Sequence, residues 1–426
     1  MLNIAFAMNG SSIFFRATFR SNRLDYILDE LLGRRLGLKY KLVLNDEPLP
    51  QGSVCLHYGI SGGSIDFSDS GILKNEAQNF FLFTPGFEQY SLFNGKTEIQ
   101  NDLFGAAFYL LSRYQEQNQP IQPDAHGRFP DELHFNEIEF RETPLIEYWV
   151  ESLRQKLNSL GLTCKKTVSS PQFSLDWDNP TAYLNKGLWR QSAAMASDLA
   201  SGNWSKLRER YQVLSGQNPD PYDNLGTRIP MELLKGRHIF FWLGNYGKHD
   251  KGLSFKNQWY RNQIRNLSKE MKPGLHPSYA SFTKPELILE EKKRLEEILD
   301  KEIIASRFHF LRFRIPQSYR TLEEVGITED YSMGFSGFPG FRAGTALPFK
   351  WFDLENNRIS GLTIHPFSLM DSSAAFRGNS SKAFLESAKA QLKKGQELGF
   401  PVHAIFHNEH PNWTGWENAI QQFAGL

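Results

Sequence analysis

From Phe173 to His407, short apolar segments of strand character take turns with longer segments of helical period, and this alternation restricts the fold more than any single motif. It points to a mainly parallel sheet or barrel, because parallel strands need crossover connections and helices are the usual ones. The patterns predict strands at Phe173–Asp178, His238–Gly244, Ser306–Phe313 and Pro401–His407, with a strand start at Gly326–Asp330. Between them they predict a mostly helical stretch from Thr181 to Lys235 and helices at Asn257–Leu267, Thr321–Val325 and Lys382–Leu398. A further helix reaching Leu299 opens on the capping-box pattern Thr283-Lys-Pro-Glu286. In sheets of this kind the chemistry gathers at the carboxyl ends of the strands.

The first part of the chain reads as a smaller α/β unit. Leu24, Ile27, Leu28, Leu31 and Leu32 recur at helical spacing over Asn22–Leu36, with Ser21 or Asn22 as N-cap and Gly37 as the stop. Lys39–Leu44 alternates like a half-buried strand, and Asp102–Tyr114 and Pro144–Leu160 carry wide apolar helical faces. The turn Asp124-Ala-His126-Gly-Arg128 either makes a site or ties a loop down, and the loop is the simpler reading. The polar stretch Lys165–Ser170 marks the expected boundary between an N-terminal domain, 1–166, and a second domain, 167–426.

Composition excludes several classes. The chain has 426 residues and 40% hydrophobic content, enough for two sizeable cores. Forty-eight basic against 47 acidic residues leave a net charge of +1, so no global field recruits nucleic acid or an anionic membrane, and whatever binds must bind locally. Cys55 and Cys164 lie far apart and offer neither metal-ligand spacing nor a disulfide framework, which suits a reducing compartment. The start lacks a basic, long-apolar leader pattern and no run approaches a membrane span, so the expectation is a soluble, cytoplasmic protein.

The chemistry-bearing residues cluster near predicted strand ends. Asp176 and Asp178 end the first strand of the second domain two residues apart, so one can hold a metal while the other handles protons; the same spacing also occurs where carboxylates merely cap backbone N–H groups. Arg307 and His309 share one face of their predicted strand, and His407 ends the last. His276 sits at a turn after a helix and precedes Pro277. Arg342, His365 and Asp371 lie near strand ends and read singly as structural. There is no Gly-rich phosphate loop, no Gly-x-Ser-x-Gly elbow and no Cys site.

In order, these pieces resemble the NodB-like polysaccharide deacetylases, which implies a distorted (β/α) barrel preceded by a smaller α/β domain. Phe173-Ser-Leu-Asp176-Trp-Asp178 is similar to the family's first segment, Phe240-Phe-Trp-Leu-Gly244 to its second, and Gly274-Leu-His276-Pro-Ser278-Tyr279 to its metal-binding His segment. Ser306-Arg307 and Phe406-His407 resemble its Arg strand and its final His. The whole chain resembles a bacterial subgroup with an additional N-terminal α/β domain, on the stretches Gly274–Tyr279, Gly326–Gly334 and Gly340–Gly344.

The resemblance implies Asp176 as general base, Asp178 and His276 as ligands of a divalent metal, zinc first, His407 as the acid that protonates a leaving amine, and Arg307 holding Asp176. It implies a carbohydrate substrate, an N-acetylated amino sugar or polysaccharide precursor. One position departs: four residues after His276, where the family has a second His, stands Ala280. A catalytic zinc wants three protein ligands, so another residue must replace it. His309 is the first candidate and Asp250 the second. Two functions follow: a metal-dependent deacetylase, or a catalytically weakened barrel that binds a glycan or partner in surface-polysaccharide assembly.

Overall fold

The computed structural model describes residues 12–74, 102–118, 121–133, 141–223, 225–409 and 416–426. Two sheets organise them. The smaller is wholly parallel in the order β2-β1-β3-β4, with β1 Ser12–Ala17, β2 Lys39–Leu44, β3 Cys55–Tyr58 and β4 Ile65–Phe67. The Ser21 hydroxyl caps the helix that leaves β1 by accepting the Leu24 N–H at 3.0 Å. The helix expected over Asn22–Leu36 is α-helical only to Leu28 and continues as a π-helix over Asp29–Arg35; the wider turn keeps Leu31, Leu32 and Leu36 all buried. Gly37 ends it at φ 67°, a conformation that favours glycine.

The larger sheet has nine strands in the order β10-β11-β9-β8-β7-β6-β5-β13-β12 and curls into a half-barrel. Its strands are β5 Pro171–Trp177, β6 His238–Trp242, β7 Lys272–His276, β8 Ala305–Ser306, β9 Glu329–Asp330, β10 Phe349–Asp353, β11 Arg358–Ile364, β12 Leu369–Met370 and β13 Val402–His407. Every pairing is parallel except the β10/β11 hairpin. Phe173, Leu175, Ile239, Phe241, Leu275 and Phe406 share one face by register and are all buried, and Phe240 and Trp242 on the opposite face are buried too, as strands covered on both faces require.

Several expectations need correction. β7 carries no strand signal in the sequence because Pro273 and Gly274 are poor strand formers. Gly274 is there for space: a Cβ would meet the Phe240 ring at 2.5 Å. His276 therefore ends a strand rather than following a helix. The strand expected over Ser306–Phe313 is two residues long, because the chain turns into a 3₁₀ turn at His309–Leu311 with Phe310 at φ 59°. Thr283 forms no capping box; its hydroxyl donates to the Ala280 carbonyl at 3.2 Å, and the helix begins at Glu286 behind Pro285. The hairpin β10/β11 lies where the patterns gave no element.

The two sheets share one continuous apolar core. A buried ion pair, Arg342 Nη2 to Glu116 Oε2 at 2.7 Å, joins a loop of the larger sheet's half to the short helix Tyr114–Asn118, and Tyr26 donates to the Lys350 carbonyl at 2.6 Å. Residues 165–170 are irregular and lead into β5. Among the described residues no helix is long and apolar enough to cross a membrane.

Candidate active site

Strand register assembles the site. β13, β5, β6, β7 and β8 are consecutive neighbours, and parallel pairing sets His407 beside Asp176, Trp242 beside His276 and Leu275 beside Ser306. Carboxyl-terminal residues of strands far apart in sequence thus open onto one place.

Asp178, His276 and His309 each offer a ligand atom, and these atoms lie within 4.8 Å of one another; all three residues are buried. Asp178 Oδ1 is 3.0 Å from His276 Nε2, and its Oδ2 is 3.6 Å from His309 Nε2. The outer ring nitrogens have partners that fix the tautomers. His276 Nδ1 lies 2.5 Å from the Arg307 carbonyl and can only donate to it. His309 Nδ1 lies 3.2 Å from Asp250 Oδ1. Both Nε2 lone pairs then point inward, the arrangement in which imidazoles bind metals.

The donors suit a divalent cation. Asp178 Oδ1 is buried and, despite its nearness to His276, makes no directed hydrogen bond among the described residues. Burial alone would raise the Asp178 carboxyl, yet the His309 and His276 rings hold it well below the usual carboxylate range. Burial alone would lower His276, yet Asp176 and Asp178 push it up. The cluster thus favours a positive charge at its centre. Three protein donors of Asp and His type leave a tetrahedral metal one open position.

Asp250, the second candidate ligand of the sequence reading, does not join this group. Its carboxylate accepts from Trp242 Nε1 at 3.0 Å and from the Tyr279 and Ala280 N–H groups at 2.8 and 3.2 Å, and it orients His309. Residue 280 is half-exposed in the turn Tyr279–Phe282.

Asp176 stands beside the cluster, its Oδ2 4.0 Å from His276 Nε2 and 3.7 Å from His407 Nε2. Arg307, fully buried, donates to Asp176 Oδ1 at 2.6 Å, to Ser174 Oγ at 2.6 Å and to the Tyr331 carbonyl at 3.0 Å, and lies over the Phe240 ring. This fork holds Asp176 by Oδ1 and leaves Oδ2 facing His276 and His407. His407 Nδ1 meets Asp371 Oδ1 at 2.7 Å, and the His407 N–H donates to Asp371 Oδ2 at 2.8 Å. Burial works against charge on His407, but Asp371, then Asp176 and Asp178, outweigh it and carry the imidazole up to about 10.

A cavity of about 600 Å³ opens over these groups. His126 and Arg128 line it although they belong to the N-terminal half, where the turn reads as a tied loop. Asp124 does tie that turn, accepting the His126 and Arg128 N–H groups at 2.8 and 2.9 Å, but the side chains reach on to Tyr279 and to the Phe310 carbonyl. The Asp220 carboxylate accepts the N–H groups of Ala182, Tyr183 and Leu184 and shapes the loop after β5. Arg342 pairs with Glu116, and His365 stacks on Tyr331 at 4.2 Å, both away from the cavity. No spacing signal links Asp371 to His407. The β12/β13 pairing, Met370 beside Ile405, brings them together.

Residues 13–162 match a family of unknown function, DUF7033. No match to a curated protein is found. Among solved structures, the chain is similar to a candidate polysaccharide deacetylase from Mycobacterium smegmatis at 13% identity and a TM-score of 0.36, covering 61% of this chain and 88% of that one. A candidate polysaccharide deacetylase involved in O-antigen biosynthesis, from Bordetella bronchiseptica, is similar at 12% identity and a TM-score of 0.28, covering 56% and 72%. At these identities neither says what this chain does.

Proposed function

We propose that the protein is a metal-dependent amide hydrolase that removes the acetyl group from an N-acetylated amino sugar or a polysaccharide precursor containing one. The observation that carries this reading is the convergence of Asp178, His276 and His309 on the floor of a cavity that also presents Asp176 and His407. His309 fills the role that Ala280 leaves open, which favours a hydrolase over a merely glycan-binding barrel. Bound between the three donors, a divalent ion such as zinc supplies Lewis-acid polarisation of a carbonyl and activation of water.

The chain's own residues do the rest. Asp176 Oδ2 takes a proton from the water whose oxygen bonds to the acyl carbon. Arg307 keeps that carboxylate aimed, and so limits the loss of orientation on substrate binding. His407, charged at neutral pH, gives its Nε2 proton to the departing nitrogen as the C–N bond breaks. Acetate and a free amine leave. Domains 1–166 and 167–426 would then share the cavity wall through His126 and Arg128. Free Cys55 and Cys164 accord with the cytoplasm as compartment.

The test is incubation of the zinc- or cobalt-loaded protein with a panel of N-acetylated glycans and sugar nucleotides, scoring acetate and free amine. Asp176→Asn should abolish release while retaining bound metal. No release across the panel by a metal-loaded wild type would overturn the reading.

A further inference from the structure

We propose that the helical hairpin beside the cavity mouth, Leu188–Ala200 and Trp204–Leu214, docks on an anionic lipid surface. Eighteen large hydrophobic side chains are exposed among the described residues, and seven of them fall within this hairpin. Leu188, Met195 and Leu199 recur at helical spacing on one face of the first helix, with Trp189 beside them. Trp204, Tyr211 and Leu214 do the same on the second. Leu188 is 89% exposed, Trp189 86% and Trp204 67%, where ordinary packing would have hidden them. Asp198 is the one buried residue of the first helix, and it pairs at 2.7 Å with Arg210 of the second. The hairpin is held together by that pair and turns its apolar faces outward. Apolar exposure on this scale marks an interaction surface.

Charge selects the occupant. Between Leu188 and Leu214 stand Arg190, Lys206, Arg208 and Arg210 against Asp198 and Glu209, four basic minus two acidic giving +2. Arg210 and Asp198 cancel, and Glu209 accepts the Tyr183 hydroxyl at 2.7 Å. Exposed Lys206 and Arg208 then lie among Trp204, Tyr211 and Leu214. A symmetric contact with a second copy would set these cations against themselves. An anionic bilayer complements them, and Trp, Tyr and Leu above a basic face form the pattern that beds into the headgroup region.

The hairpin is also joined to the cavity rim. Arg190 donates to the Lys251 and Gly252 carbonyls at 2.9 and 3.1 Å and lies over the Tyr246 ring. Lys251 and Gly252 line the cavity. Docking would bring the mouth close to the lipid surface whatever reaction the cavity performs.

The experiment is co-sedimentation of the full chain with phosphatidylcholine vesicles with and without phosphatidylglycerol. Binding should require phosphatidylglycerol and weaken with salt. The triple variant Leu188→Ser/Trp189→Ser/Leu199→Ser should lower the partition coefficient by at least about tenfold without lowering the melting temperature, and Lys206→Glu/Arg208→Glu should remove the lipid preference. Absence of wild-type binding to the anionic vesicles would overturn the proposal. So would a wild-type dimer in light scattering that the serine variant dissociates, since the occupant is then a second copy. A serine variant that melts lower overturns it as well, because the face is then covered within the chain.

Discussion

His309 Nδ1 lies 3.2 Å from Asp250 Oδ1, and that contact turns His309 Nε2 toward Asp178 and His276. Asp250 is itself held by Trp242 and by two backbone N–H groups, so the imidazole has a rigid support. Asp250→Asn keeps one acceptor oxygen but loses the charge that favours the inward lone pair. Metal affinity should fall by about 10- to 100-fold, read by competition with a chelator. Unchanged affinity would show that His309 needs no such support.

His309→Ala should reduce bound metal from one ion per chain to well under half, measured by elemental analysis after gel filtration. Ala280→His should not raise stoichiometry in the wild-type background, because the Ala280 N–H is committed to Asp250 Oδ2 and its turn is fixed there. Restoration of metal by Ala280→His in the His309→Ala background would instead mean that either position can serve.

The raised pKa of His407 depends on Asp371 more than on any other charge. Asp371→Asn should move the alkaline limb of the pH–rate profile down by at least about one pH unit and lower kcat near neutrality by about tenfold or more. The stability effect has a defined sign. A group whose folded pKa lies near 10 and whose ordinary value is 6.5 contributes fully below 6.5, and the contribution is lost as pH rises through about 10. The stability gap between wild type and Asp371→Asn should therefore narrow between those values, as followed by thermal melts.

Glu116 is buried between Arg342 and Arg113, which hold its carboxyl below the usual range although burial alone would raise it. Glu116→Ala leaves two buried guanidinium groups without it, and should destabilise by about 3–5 kcal/mol in urea unfolding. Because the pKa is lowered on folding, the contribution is present above the ordinary value of 4.5 and lost as pH falls through the folded value. The difference between the two proteins should shrink in acid.

Much of the scaffold can be read from periodicity. β2, β5, β6 and β13 and the helices at Leu145–Ser159, Gln258–Leu267 and Ser381–Leu398 appear where the patterns put them, within a residue or two at most ends. The misses have physical causes. Pro273 and Gly274 hide β7, since a glycine chosen to clear Phe240 weakens the strand signal. Ser306–Phe313 alternates as a strand does, but the chain turns at His309–Leu311. The β10/β11 hairpin is joined to the rest of the sheet only through β11, which pairs with β9, a tertiary contact that no local pattern announces.

What the sequence determined by itself is the alternating α/β organisation and the residue types at three strand ends, Asp176, Asp178 and His407, because local pattern and chain order fix both. What only the tertiary structure decided is the grouping. The parallel register sets His407 beside Asp176, the β12/β13 pairing delivers Asp371 to His407, and a turn after β8 swings His309 onto Asp178 while Asp250 stays behind it. Those contacts join positions tens to hundreds of residues apart, and no local spacing encodes them. Distance in the sequence says nothing about distance across adjacent parallel strands, where about 5 Å separates neighbours whatever the length of the crossover between them.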